Sequence, residues 1–152
     1  MIKFALPLAL LLAGCGNDPA LPDLKTADGW SRETVPGQAS AAAYLTVINN
    51  GTGVDRLLTV SSDAAAHAMV HTTMTTDQGV SRMRHMADGL PIPPKTAVEL
   101  SPGRTHIMLS GLKQPLRRGQ KLTLELRFEK SGSKLATVKV LDPTSAGLQE
   151  AR

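Results

Sequence analysis

Residues 121–142 read KLTLELRFEKSGSKLATVKVLD, and their alternation decides the fold. Leu122, Leu124, Leu126 and Phe128 occupy every second position, with Thr123, Glu125 and Arg127 between them. A period of two places the four apolar side chains on one face of a strand. Ser131-Gly132-Ser133 interrupts the run, and ATVKVLD (136–142) resumes it, so the segment reads as a β-hairpin with one buried face. The same signal recurs upstream in AAYLTVINNG (42–51), DRLLTVSSD (55–63), AHAMVHTTM (66–74), GVSRMRHM (79–86), TAVELSPG (96–103) and THIMLSGL (105–112). Each run is short, and Gly, Pro, Asn, Asp or Ser bounds it. Eight strands without a convincing helix predict an all-β, antiparallel Greek-key β-sandwich. SAAAY (40–44) also fits one helical turn. GLPIPPKT (89–96), with three prolines, reads as a loop or an edge.

A chain of 152 residues supports one domain with a real core. Its aromatic residues are only Phe4, Trp30, Tyr44 and Phe128, so that core is aliphatic. The net charge of +4 is spread among interleaved acids. A clustered basic face with stacking aromatics, the mark of a nucleic-acid binder, is missing from the sequence, so no nucleic-acid partner is expected.

The N-terminus, MIKFALPLALLLAGC, has one basic residue and then an apolar run from Phe4 to Ala13. That run is shorter than the roughly 20 residues needed to cross a bilayer and reads as an export signal. Leu12-Ala13-Gly14-Cys15 resembles the lipobox of bacterial lipoproteins, which implies cleavage before Cys15 and lipid attachment to it. The expected organisation is a signal peptide (1–14), a lipidated cysteine and flexible tether (15–28), a β-sandwich domain (29–141) and a C-terminal tail (142–152). Cys15 is the only cysteine, so the folded domain has no thiol chemistry. The implied location is the periplasmic side of a bacterial membrane. Gly16 and Asn17, in place of an Asp after the cysteine, lean towards the outer membrane.

All four histidines and every methionine except Met1 fall between His67 and Met108. By strand alternation His106 and Met108 share a face, as do His67, Met69 and His71, and Met83 and His85. Thioethers beside imidazoles, without thiolate or carboxylate, are soft ligands that select Cu(I). Zinc prefers Cys, His and carboxylate, and calcium and magnesium prefer oxygen. A blue-copper centre needs a cysteine ligand, and the single cysteine lies in the anchor. A site of two His and two Met therefore points to Cu(I) binding and transfer.

On these residues the chain resembles the periplasmic copper chaperone family PCuAC, which carries a His, a Met and a His-x-Met pair on a cupredoxin-like β-sandwich. The matching positions are His71, Met83, His106 and Met108. GWSRETVPGQASAAAYLTVINNG (29–51), GVSRMRHMADGLPIP (79–93) and VELSPGRTHIMLSGLKQPLRRGQKLTLELRFEKSG (98–132) carry the resemblance through residues 29–140. The His71–Met83 and Met83–His106 intervals are each one residue longer than the family's spacing. A one-residue slip inside a strand turns a side chain to the other face, whereas in the turn around TTDQG (75–79) it costs little. Met74 and Met86 are the substitutes for Met83. His85 reads either as an auxiliary ligand, with Cu(II) the ion for it, or as a solvated histidine.

The resemblance implies a monomeric Cu(I) carrier that loads copper into cytochrome c oxidase, its partners being the copper-site subunit or its assembly factors. Arg82, Arg84 and Arg104 are available to steer an acidic partner surface. Two rival functions are a copper-sequestering resistance lipoprotein and a β-sandwich interaction module without metal. No Ser/His/Asp arrangement or paired carboxylates support an enzyme.

Overall fold

The computed structural model describes residues 20–144. The predicted signal peptide, Cys15 and most of the C-terminal tail lie outside them. Ten strands follow in order: β1 (Leu24–Arg32), β2 (Ser40–Asn49), β3 (Asp55–Ser62), β4 (Ala65–Thr75), β5 (Ser81–His85), β6 (Leu90–Ile92), β7 (Thr96–Leu100), β8 (His106–Leu112), β9 (Lys121–Phe128) and β10 (Gly132–Leu141). The described residues contain no helix.

The strands run β4-β8-β2-β1-β10-β9-β3, and a β3–β4 pairing closes this path into a seven-stranded barrel. Three strands are attached to it: β5 on β4, β6 on β3 and β7 on β2. This is the expected all-β, cupredoxin-like fold. One pair departs from the antiparallel expectation, because β1 and β10 run parallel.

The hairpin that opened the sequence reading is β9–β10, paired from Gly132↔Phe128 to Lys139↔Lys121. Leu122, Leu124, Leu126 and Phe128 are all buried and meet Ala136, Val138 and Val140 in the core. SAAAY belongs to strand β2. Ala41 and Ala43 face the core between β1 and β8, so tertiary packing overrides their helical propensity. GLPIPPKT supplies β6, a three-residue edge strand whose Pro91 donates no ladder hydrogen bond.

The tether expected over 15–28 gives way to structure before its end: strand β1 begins at Leu24, which is buried and pairs with Asn49. Its first half, LKTADG, has no apolar alternation because a bulge between Ala27 and Trp30 breaks the period. Gly29 lies at that bulge. A Cβ there would fall 2.2 Å from the carbonyl oxygen of Thr137 on β10. Gly29→Ala must therefore push β1 off its parallel partner. We expect it to cost about 1–3 kcal/mol, read as a lowered urea midpoint.

Two buried polar residues fasten one end of the barrel. Asn49 accepts from Asp23 N and Gly51 N through Oδ1, and its Nδ2 donates to the carbonyls of Gly53 and Ile92. Asp55 accepts from Arg56 N and Lys130 N at Oδ1 and from Ser131 N at Oδ2, tying β3 to the β9–β10 turn. Burial pushes the Asp55 carboxyl up. The hydrogen bonds from Ser131, Lys130 and Arg56 outweigh it and hold the group below its ordinary value. A depressed carboxyl pKa stabilises the fold at every pH above the unfolded value, about 3.9, and the contribution disappears as pH falls through the lower folded value. Asp55→Asn puts an NH2 against a backbone N–H. It is expected to cost about 2 kcal/mol at neutral pH and much less in acid, as measured by urea unfolding at both.

Candidate metal site

Three of the four histidines come together on the outer face of the sheet, opposite the core; His67 shares the face but stands four residues away along β4. Strand β4 carries His67, Met69, His71 and Thr73 on that face, while Val70 on the other is buried in the core. Strand β8 lies antiparallel beside it, with Ile107 and Leu109 inward and His106, Met108 and Ser110 outward. The register sets His71 opposite His106, Met69 opposite Met108 and His67 opposite Ser110. On the other side of β4, strand β5 sets His85 opposite His71 and Met83 opposite Thr73.

His85, His71 and His106 thus form a row across three strands. The ring centroids of His71 lie 5.8 Å from those of His85 and 6.1 Å from those of His106, both edge-on. Tyr44 on β2 continues the row, 6.5 Å from His106, and Trp30 on β1 stacks on Tyr44 at 4.3 Å. Trp30, Tyr44 and Leu141 form a second small core outside the barrel, with Ala42 against it. The Arg32 guanidinium lies 5.3 Å from the centre of the Trp30 ring. This aromatic wall flanks His106, which is only 6% exposed.

The ring nitrogens are distinguishable. His106 Nδ1 lies 2.9 Å from the Arg104 carbonyl, which can only accept, so Nδ1 carries a proton and Nε2 is the ring nitrogen left to face a metal. His71 Nδ1 is buried and has no hydrogen-bond partner among the described residues. Leaving such an atom unsatisfied costs about 1–3 kcal/mol, and a bound metal is one way to satisfy it. Burial, then the neighbouring His106 and His85, hold the His71 pKa below the ordinary imidazole value. The ring is therefore held neutral, the form that binds a metal.

Among the described residues no three His, Cys, Asp or Glu side chains form a metal-binding group of their own. A metal held by these histidines would need methionine sulfur to complete its coordination sphere. Met108 lies two positions along β8 from His106, and Met69 lies two positions before His71 on β4. Met83 lies on the far side of the histidine row and is 60% exposed. The extra residue between His71 and Met83 is absorbed by the hairpin turn, where Thr76 N bonds Val80 O and Gly79 N bonds Thr76 O. His71, Met83 and His85 therefore keep one face. The two substitutes for Met83 do not share it. Met74 pairs with Arg82 on the opposite side of the ribbon, and Met86 packs against the main core. Arg82 and Arg84 alternate with Met83 and His85 and are exposed, as is Arg104.

Met69 and the Trp30–Tyr44 wall carried no assigned role in the sequence. Alternation put Met69 on the face of His71, but only the β4–β8 register shows that it stands opposite Met108.

A family model described as "Putative lipoprotein LpqE-like" matches residues 24–140. The "Putative lipoprotein Lxx21020" of Leifsonia xyli subsp. xyli is 36% identical over 110 residues, covering 72% of this chain and 66% of that protein. The chain spans somewhat less than two thirds of the curated relatives it matches, 66% and 62% of their lengths. Among solved structures, the copper-bound PCuAC domain from PmoF2 superposes with a TM-score of 0.65 at 25% identity, covering 79% of this chain and 93% of that domain. The Cu(I) form of DR1885 from Deinococcus radiodurans shares the fold with a TM-score of 0.64 at 24% identity, covering 88% of this chain and 87% of that one.

Proposed function

The chain belongs to the LpqE-like lipoprotein family and has the fold of the PCuAC copper-chaperone domains, and from that premise we propose that it is an extracytoplasmic Cu(I) carrier. In this reading the role is non-enzymatic, in keeping with the likeness to PCuAC domains. His71, His106, Met108 and Met83 are the ligands in this reading, with His85 as an auxiliary that suits Cu(II). The observation that carries it is the unpartnered, buried Nδ1 of His71, set between two other imidazoles and flanked by thioethers. Neutral thioethers hold soft Cu(I) without a proton to lose, and their weaker binding than thiolate suits a protein that must release its cargo.

Lipid attachment at Cys15 would hold the carrier to a membrane surface, and Gly16 and Asn17 favour the outer one. Delivery for assembly of the copper centres of cytochrome c oxidase is the recipient we favour. Sequestration without a dedicated recipient is the rival. An anaerobic competition titration of the purified protein in detergent separates these readings. One Cu(I) bound tightly, then passed to an apo copper-site domain of the oxidase, is the expected result. Binding without transfer supports sequestration. Failure to compete with a weak chelator overturns the copper reading.

A further inference from the structure

We propose that Met69, which lies outside the ligand set carried over from the PCuAC pattern, is a Cu(I) ligand that exchanges with Met83. The proposal rests on the copper reading above. Two consecutive outward positions on β4 and two on β8 form a rectangle, with His71 opposite His106 and Met69 opposite Met108. Side chains directly opposite on an antiparallel pair have Cβ atoms about 4.5–5.5 Å apart, and diagonal ones lie at about 7–8 Å. Met69 is thus a direct neighbour of Met108. Met83 stands opposite Thr73 and reaches the histidines only diagonally, from the other side of their row.

Packing does not account for Met69. Methionine commonly fills core gaps, yet Met69 and Met108 are in neither hydrophobic core, unlike Met86, which is packed against the main one. Both are half-buried on the outer face at directly opposite positions, in a chain whose main core is largely Leu, Val, Ile and Ala. The backbones that carry the rectangle are firm, since β4 and β8 are both strands of the closed barrel. Met83 rides on β5, which pairs only with β4 and is exposed at every residue.

Besides the auxiliary His85, the site therefore offers five donors where a soft monovalent ion takes at most about four. His71, His106 and Met108 are common to both arrangements. Met69 completes an inner one, half-buried and preorganised. Met83 completes an outer one at the edge strand, where another protein's ligand can reach the metal. In the exchange one Cu–S bond forms as the other breaks, copper stays Cu(I), and no proton moves.

The test labels methionine methyl groups with carbon-13 and follows them by NMR during anaerobic Cu(I) titration of the full protein. Cu(I) affinities of Met69→Leu, Met83→Leu and the double variant are measured in parallel. Leucine nearly conserves volume, and thermal unfolding verifies that each variant folds. The Met69 and Met108 methyls are expected to shift at one equivalent of Cu(I). Each single variant is expected to bind up to tenfold more weakly, and the double variant at least a hundredfold. A silent Met69 methyl with unchanged affinity in Met69→Leu overturns the proposal while leaving the copper site of Met83 intact. A wild-type protein that takes up no Cu(I) overturns the underlying reading as well.

Discussion

His106→Ala is expected to lower Cu(I) affinity by about a hundredfold or more, which is about 2.8 kcal/mol at 1.4 kcal/mol per decade. Three observations set this size. His106 is the most buried of the three histidines in the row, so its position is held by packing on both sides. Its Nδ1 bond to the Arg104 carbonyl fixes the tautomer that leaves Nε2 free to bind. It also stands between His71 and Tyr44, so its removal opens the wall side of the site to water. His106→Gln, which keeps bulk but not the imidazole, should lose nearly as much. The same anaerobic competition measurement checks both variants. An affinity within threefold of the parent in both would remove His106 from the site. His85→Ala, at the exposed end of the row, is expected to change Cu(I) affinity less than tenfold.

Trp30→Ala should be the most damaging change to the fold outside the main core, at about 3–5 kcal/mol. Trp30 is 1% exposed although it lies on the outer face of the barrel. Tyr44, Leu141 and Ala42 enclose it, and Arg32 lies close to its ring. Urea unfolding of the variant, followed by circular dichroism, measures the loss. A midpoint unchanged from the parent would show that this small outer core carries no stability. Because Tyr44 rests on Trp30 and faces His106, the variant should also bind Cu(I) more weakly at urea concentrations where it remains folded.

How much of this was legible in the sequence depends on the kind of signal each residue gave. The β9–β10 hairpin was plain, because a strand with one buried face writes its period directly into Leu122, Leu124, Leu126 and Phe128. Strand β1 was hidden, because its bulge at Ala27–Trp30 and its residues Asp28 and Gly29 imitate a loop. β6 was half-visible, since prolines mark an edge as readily as a turn. For the site, alternation within single strands correctly grouped His106 with Met108 and His71 with Met69. Which group faces which is a property of strand pairing, and no local pattern encodes it. The resemblance to PCuAC supplied a pairing for His71, Met83, His106 and Met108, and those residues do share one sheet face. It was silent about Met69 and about the Trp30–Tyr44 wall, which follow from the β4–β8 and β1–β2 registers.

The attachment of β5 outside the closed ring divides the molecule into two levels of local stability. Amide protons of β9 and β10, flanked on both sides within the ring, should exchange with solvent only when the whole domain unfolds. Those of β5 are held by one neighbour and should exchange through fraying of the hairpin alone. Releasing Met83 and His85 from the sheet then costs the free energy of one hairpin, while His71, His106 and Met108 stay on the barrel beneath it. The barrel can therefore gain stability without stiffening the strand at its edge.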